Sequence, residues 1–289
     1  MQSIIKDIRN DFLPKLGAFG YLILINSIVF LVIILVQLIG LLFQIPFHNT
    51  LIDIINYFLA LSTVFPDYLF KPWTFLSYNF VHYQPFHLLF NLVVLYFIGS
   101  IGRQFFSDRQ VYLTYLLGGL SGGILVVISY MVLPYFSNQA AYCVGASAGI
   151  YALMVAMATL VPNYPVYLLL VGRISLKWLA VIYILLDLVF LATGGNKGGH
   201  ITHIGGAIWG YLWVVYRKKG IDISQPFIFI CDKLEALRQR RYNRNGMRIV
   251  KDKPVSEEEL NRILDKIRAV GYDKLTAKEK ETLHRAGKQ

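Results

Sequence analysis

The sequence is poor in cysteine, in acidic residues and in the short motifs that hold nucleotides or catalytic zinc. Its two cysteines, Cys143 and Cys231, are too few for a disulfide framework or a cysteine-based metal site. It also lacks a glycine-rich phosphate loop and the H-E-x-x-H pattern of many zinc proteases. We therefore expect no cofactor, no resident metal and no nucleotide chemistry.

Charged residues are also scarce, at 16% of the chain, whereas 56% of the residues are apolar. With a mean hydropathy of +0.52, this composition is typical of helical membrane proteins, in which one span needs about 20 apolar residues. The first apolar stretch is too long for a cleavable signal peptide and no small-residue cleavage site follows it, so it is predicted to be a retained span. In all, six spans are predicted, at residues 20–44, 85–101, 111–133, 146–162, 176–194 and 199–216.

The charge that is present is mostly positive, with 28 Lys and Arg against 17 Asp and Glu and a formal net charge of +11. The excess lies beside alternate ends of the predicted spans and in the C-terminal tail. By the positive-inside rule, this placement predicts that both termini are cytoplasmic. We expect these basic residues to contact anionic lipid, and we expect no nucleic-acid partner.

Composition divides the chain into three parts. Residues 1–19 are predicted to be a cytoplasmic N-terminal segment, residues 20–216 a six-span membrane domain, and residues 217–289 a basic cytoplasmic tail. Within the membrane domain, residues 45–84 form a long apolar and aromatic loop, which suits the outer membrane interface.

The tail is predicted to contain a small helical hairpin. Ser256 with Glu259 and Thr276 with Glu279 both have the spacing of a capping box, and Gly271 stands where the first helix should end. The sequence does not select among the membrane surface, the membrane domain and a cytoplasmic protein as the partner of this tail.

Polar side chains inside the predicted spans matter most for function, because they are costly in a bilayer and usually line a cavity or an active site. His87 and Asn91 are four residues apart and share one helix face. His200 and His203 precede a G-x-x-x-G pattern that favours close helix contact. Hydrogen bonding between helices is the alternative explanation for His87 and Asn91. A lone histidine in a span is usually a packing residue, but two beside a glycine pattern are harder to explain in this way.

Ser147 lies among small residues, and helix packing alone would explain such a surface. The packing residues on this basis are Gly145, Gly149, Gly206 and Gly210. Depth favours a different interpretation. Counted at about 1.5 Å per residue from the predicted outer ends of their spans, His87, Asn91, Ser147 and His203 all lie roughly 3–9 Å below the same face.

These residues supply the parts of acyl transfer: a hydroxyl, an imidazole to deprotonate it and donors for an oxyanion. Asp187, counted as mid-span, is expected to lie too deep to reach them. The sequence therefore predicts a Ser147–His203 dyad without a carboxylate. Tyr151, one turn after Ser147, is expected to orient the His203 ring.

The residues resemble the motifs of the rhomboid family of intramembrane serine proteases, over about residues 70–216. The family's G-x-S-G is matched by Gly145 to Ala148, and its H-x-x-G-x-x-x-G by His203 through Gly206 to Gly210, which selects His203 over His200 as the base. Its H-x-x-x-N is matched by His87 and Asn91.

The resemblance implies an all-α bundle of six transmembrane helices, with Ser147 as nucleophile and His203 as base. His87, Asn91 and the Ser147 N–H become oxyanion donors, and His82 becomes a structural residue. It further implies substrates with transmembrane segments, a site that opens to the outer side, and a bacterial inner membrane as the location.

The sequence departs from the family at Ala148, where a glycine is usual, at Trp73-Thr74, where a Trp-Arg pair is common, and at Gly102, where a glutamate is usual. Two other functions stay open. One is an inactive rhomboid-like protein that binds transmembrane clients; the other treats the histidines as a zinc site, or His200 with Asp187 as a proton path.

Overall fold

The computed structural model describes residues 17–43, 48–168, 172–245 and 257–286. The chain divides into two compact units between Pro226 and Phe227. Ser256, the first half of one predicted capping box, lies outside the described residues. Both units are mainly helical, which agrees with the expected all-α class.

The first unit is a helical bundle with two small antiparallel β-pairs. Its elements are α1 (Ala18–Leu42), α2 (His48–Leu59), β1 (Leu61–Ser62), α3 (Asp67–Phe70), α4 (Thr74–Ser77), α5 (Pro85–Gly102), α6 (Asp108–Val132), β2 (Tyr142–Cys143), α7 (Ser147–Leu160), β3 (Pro165–Leu168), β4 (Gly172–Ser175), α8 (Leu176–Thr193) and α9 (Lys197–Lys218).

A helix stands at each of the six predicted spans, namely α1 and α5 to α9. Among the described residues, four of these helices are long and apolar enough to cross a membrane: α1, α5, α6 and α8. α7 is apolar but has only 14 residues, and α9 carries the histidines and glycines. The two helices that hold the predicted nucleophile and base are therefore the two that do not meet this criterion.

Helix ends follow the local sequence. Pro85 occupies the first turn of α5, where its missing N–H leaves no intrahelical bond unmade. Ser107 and Gln110 form a reciprocal capping box at the start of α6. Asn196, in the left-handed conformation, accepts a bond from the Gly199 N–H and begins α9 directly after the short turn from α8.

The predicted outer loop, residues 45–84, is more ordered than a plain interfacial loop. It contains α2, α3 and α4, and β1 pairs with β2 through Leu61 opposite Cys143. The Trp73 indole N–H donates to the Phe58 carbonyl at 2.8 Å, and the Lys71 ammonium lies 3.8 Å from the centre of the Tyr57 ring. These contacts fasten α2 to the segment that follows it.

α7 is the centre of the bundle, because most of its residues are buried. α9 packs on it without intervening side chains. A Cβ at Gly206 would fall on the Ala148 carbonyl oxygen, and a Cβ at Gly210 would fall on that of Ala152. The backbones of α7 and α9 are therefore in direct contact.

α10 (Gln225–Asn245) begins two residues before the division. The second unit contains the rest of it, together with α11 (Glu257–Val270) and α12 (Ala277–Ala286). α11 ends at Gly271, whose φ of 81° is a left-handed conformation that favours glycine. The Thr276 N–H donates to Glu279, and the Glu279 N–H donates to the Thr276 hydroxyl, as the capping-box spacing predicts. Lys266 of α11 pairs with Glu279 at 2.8 Å.

Gly210→Ala should destabilise the membrane unit, because the added methyl group meets the Ala152 carbonyl oxygen and the two helices must separate. We expect a loss of about 1–3 kcal/mol or more, measured by thermal unfolding in detergent. Gly195→Ala is the control, since a Cβ there meets no atom within 4 Å. Equal melting temperatures for the two variants would contradict the backbone contact.

Glu279→Gln should loosen the start of α12. Hydrogen bonds from Lys266 and Thr276 lower the pKa of the Glu279 carboxyl from 4.5 to about 2. A lowered folded-state pKa stabilises the hairpin fully above about pH 4.5, and the contribution is lost as the pH falls towards 2. We expect faster amide exchange in α12 at neutral pH than in wild type and in the exposed control Glu258→Gln. A Glu279 carboxyl that titrates near 4.5 by NMR would refute this.

Candidate active site

Ser147 is the first residue of α7 and follows a sharp backbone turn. Gly145 has a φ of +126°, a conformation that other residues rarely adopt, and a Cβ there would lie 2.7 Å from Cε1 of His87. Its N–H donates to the Tyr78 carbonyl at 2.9 Å. Glycine is thus required at 145 both by the turn and by the imidazole beside it.

The Ser147 hydroxyl is in hydrogen-bond contact with the predicted base. Its Oγ lies 2.6 Å from Nε2 of His203, a distance at which an imidazole can accept the hydroxyl proton directly. The contact is possible because α7 and α9 meet backbone to backbone. The structure therefore brings together the two residues that the sequence motifs selected.

A carboxylate lies next to His203. The expectation from the sequence that Asp187 is too deep to reach the site residues was wrong. Oδ1 of Asp187 lies 2.9 Å from Nδ1 of His203. Asp187 stands six residues before the end of α8, and His203 stands six residues after the start of α9. Because a three-residue turn joins these antiparallel helices, the two side chains reach the same depth.

The carboxylate also defines the imidazole tautomer. An ionised carboxylate only accepts hydrogen bonds, so Nδ1 of His203 carries the proton and Nε2 is left to accept from Ser147. The hydroxyl, imidazole and carboxylate are hydrogen-bonded in the order found in Ser-His-Asp triads.

Tyr151 lies against the face of the base. Its ring is nearly parallel to that of His203, with centroids 4.5 Å apart and planes 13° apart. The Tyr151 ring also meets Tyr183 of α8, edge to face at 6.0 Å, and its hydroxyl interacts with the Asp187 carboxylate. The stacking restricts rotation of the His203 ring, in addition to the hydrogen bond from Asp187.

The predicted oxyanion donors lie beside the segment that precedes Ser147, and His82 is hydrogen-bonded to one of them, Asn91. The His87 ring lies beside Gly145. Nδ2 of Asn91 lies 2.9 Å from Nε2 of His82, and the Ala146 N–H donates to that nitrogen at 3.2 Å. His82, fully buried, therefore ties the nucleophile loop to α5, while the second amide hydrogen of Asn91 stays available.

A cavity of about 310 Å³ opens beside Ser147. Its wall is mainly apolar but includes the polar side chains of the site. A second cavity of about 220 Å³ between α5 and α8 shares Val94, Met154 and Tyr183 with it. The first cavity is lined by His87, Phe90, Asn91, Val94, Ser147, Ile150, Tyr151, Met154, Tyr183 and His203.

His200 joins the same network, although the family motif does not select it. Its Nδ1 lies 2.6 Å from Oδ1 of Asp187, the oxygen that also faces His203. Its ring stacks on Phe190 of α8, with centroids 5.9 Å apart. Its spacing of three from His203 on a helix was the signal in the sequence that the two could share a partner.

Two departures from the family are accommodated by neighbouring residues. Ala148 is fully buried, and it faces Gly122 of α6, where a Cβ would lie 3.0 Å from the Ala148 methyl. At Gly102, a Cβ would lie 2.8 Å from the Phe19 ring and 2.9 Å from the Met157 sulfur. The glutamate that is usual at this position would require the Phe19 and Met157 side chains to shift.

The helices and the site together define a class: a helical membrane protein with a Ser-His-Asp constellation inside its bundle. The rhomboid domain matches residues 70–219, which is just over half of the chain. This chain therefore belongs to the rhomboid family, and it is an integral membrane protein. Residues 247–289 match a family of unknown function, DUF6576.

Curated relatives are distant and longer. Rhomboid-related protein 1 of Caenorhabditis elegans is 27% identical over 56% of this chain and 45% of its own length. Presenilin-associated rhomboid-like protein A, mitochondrial, of Danio rerio is 28% identical over 48% and 36%. RHOMBOID-like protein 4 of Arabidopsis thaliana is 31% identical over 48% and 32%. The match thus spans less than half the length of each of these relatives.

Asp187→Asn should lower the reactivity of Ser147 towards a fluorophosphonate probe, because an amide cannot enforce the tautomer that leaves Nε2 free to accept. The analogous change in a known triad costs about 10⁴-fold, and we expect a loss approaching this. Tyr183→Phe, in the same cavity wall, is the control. Labelling of Asp187→Asn at the wild-type rate would favour the dyad that the sequence predicted.

Proposed function

We propose that this protein is an intramembrane serine protease that hydrolyses peptide bonds in or near transmembrane segments of membrane-protein substrates. The observation that carries the proposal is the continuous row from Ser147 Oγ through the His203 ring to Asp187, at 2.6 and 2.9 Å. The cavity beside Ser147 supports the proposal. Its apolar wall suits a membrane-embedded chain, and its polar side chains suit a reacting carbonyl group.

In the first half of the reaction, Nε2 of His203 takes the hydroxyl proton while Oγ of Ser147 bonds to the carbonyl carbon. The negative charge passes to the carbonyl oxygen. His87, Asn91 and the Ser147 N–H donate to this oxyanion; the N–H is free to do so because the first turn of a helix leaves its N–H groups without intrahelical partners. The imidazolium then protonates the leaving amine as the C–N bond breaks.

In the second half, His203 accepts a proton from water as the water oxygen attacks the Ser147 ester. The same donors hold the second oxyanion. Collapse of this intermediate returns the proton to Oγ and releases the carboxylic acid. Asp187 stays ionised throughout and stabilises the imidazolium, and the Tyr151 ring keeps the imidazole in plane.

The proposal includes the orientation in the membrane. We assign the six spans to α1 and α5 to α9, with both termini cytoplasmic. The N-terminal segment is then residues 1–19, the membrane domain residues 20–216 and the tail residues 217–289. Arg103 follows the end of α5, and Arg217 and Lys218 close α9, so the basic ends lie opposite the ends that hold the site. The site then opens outward, and we place the protein in a bacterial inner membrane.

The first measurement is labelling with a fluorophosphonate probe in detergent and EDTA, followed by cleavage of a model transmembrane substrate. We expect wild type to react and both Ser147→Ala and His203→Ala to lose labelling and cleavage. Ser129→Ala is the matched control and should react normally, because the Ser129 hydroxyl donates to the Leu125 carbonyl within α6.

The opposite result identifies the other function. If folded wild type is neither labelled nor able to cut the substrate, the protease proposal fails. A client-binding rhomboid-like protein is then the better description, and capture of transmembrane segments without cleavage would identify it.

A further inference from the structure

The second imidazole, His200, is not used by the proposed reaction. One imidazole and one carboxylate complete the proton transfer, yet both His200 and His203 point Nδ1 at the same Asp187 oxygen, at 2.6 and 2.9 Å. The other carboxylate oxygen, Oδ2, has no close hydrogen-bond partner among the described residues, although the Tyr151 hydroxyl interacts with the carboxylate. Asp187 is only 4% exposed. Asp187, His200 and His203 therefore offer one more potential metal ligand than the proposed hydrolysis uses.

Two imidazoles and a carboxylate are a zinc ligand set. One donor atom from each of Asp187, His200 and His203 lies within 4.8 Å of the other two. Ligands about 2.0–2.1 Å from a tetrahedral zinc ion are separated by roughly 3.3 Å, so small side-chain shifts would admit the ion. A water molecule would supply the fourth ligand.

The surroundings hold the two rings in place for this geometry. Tyr151 stacks on His203 and Phe190 stacks on His200, while the two imidazoles are perpendicular to each other. The His200 and His203 side chains are 16% and 17% exposed. Part of each imidazole is therefore accessible from outside the bundle.

We propose that Asp187, His200 and His203 form a zinc site that inhibits the protease. Zinc bonds to Nδ1 of both histidines and to the Asp187 carboxylate. The Nδ1 proton of each neutral imidazole moves to its Nε2, so no proton is gained or lost overall. Nε2 of His203 then donates instead of accepting, and it cannot take the Ser147 proton. The inhibitory part rests on the proposed protease function, whereas the metal site does not.

Direct binding tests the site without any need for activity. Full-length Ser147→Ala, stripped with EDTA and exchanged into detergent, is titrated with Zn²⁺, and with Co²⁺ as a spectroscopic probe. We expect one ion per chain and more than about a tenfold loss of affinity when His200→Gln or His200→Asn is added. Adding Cys143→Ala and Cys231→Ala instead is the control against thiol binding, and it should change nothing.

Inhibition is then measured in the wild-type protein. Zn²⁺ should abolish labelling and cleavage reversibly, Mg²⁺ should not, and the inhibiting Zn²⁺ concentration should rise more than about tenfold in His200→Gln, relative to its own metal-free rate. Binding that is indifferent to both His200 variants, or activity that rises with Zn²⁺, would overturn the proposal. His200-dependent binding in a chain that cuts nothing would uphold the metal site and reject the protease.

Discussion

Direct backbone contact between α7 and α9 is the constraint on which the site depends. Because Gly206 and Gly210 have no side chains, the carbonyl oxygens of Ala148 and Ala152 lie where those side chains would be. At this separation a short serine side chain on one helix reaches an imidazole on the other. Larger residues at either glycine would push α7 and α9 apart and so increase the distance between Ser147 and His203.

The rest of the site is arranged around that contact. α8 reaches it through the short turn to α9 and contributes Asp187. α5 reaches it through His82, which accepts from both Asn91 and the backbone before Ser147. Each helix therefore adds a group to a geometry that α7 and α9 have already established. This division explains why α7, the shortest of the six, can be central without spanning the bilayer by length alone.

The sequence predicted those parts of the site that follow from spacing along one helix. His87 with Asn91, and Ser147 with Tyr151, each lie one turn apart, so sharing a face required no knowledge of the fold. Asp187 could not be placed in this way, because its depth depends on where the turn after α8 falls. Counted as mid-span, it was not recognised as lying as far from that turn as His203 does. The pairing of β1 with β2, about eighty residues away, is a tertiary contact that no local pattern indicates.

The position of Asp187 also restricts how the bundle can open. The carboxylate belongs to α8 and its imidazole partner belongs to α9. If the C-terminal half of α8 moved away from α9, the 2.9 Å hydrogen bond between them would break. The open bundle would then hold a serine whose base has lost its orientation, and it would recover reactivity only after α8 returned. Admission of a chain and activation of the hydroxyl would be successive events, so a segment that prevented α8 from closing would be held without being cut.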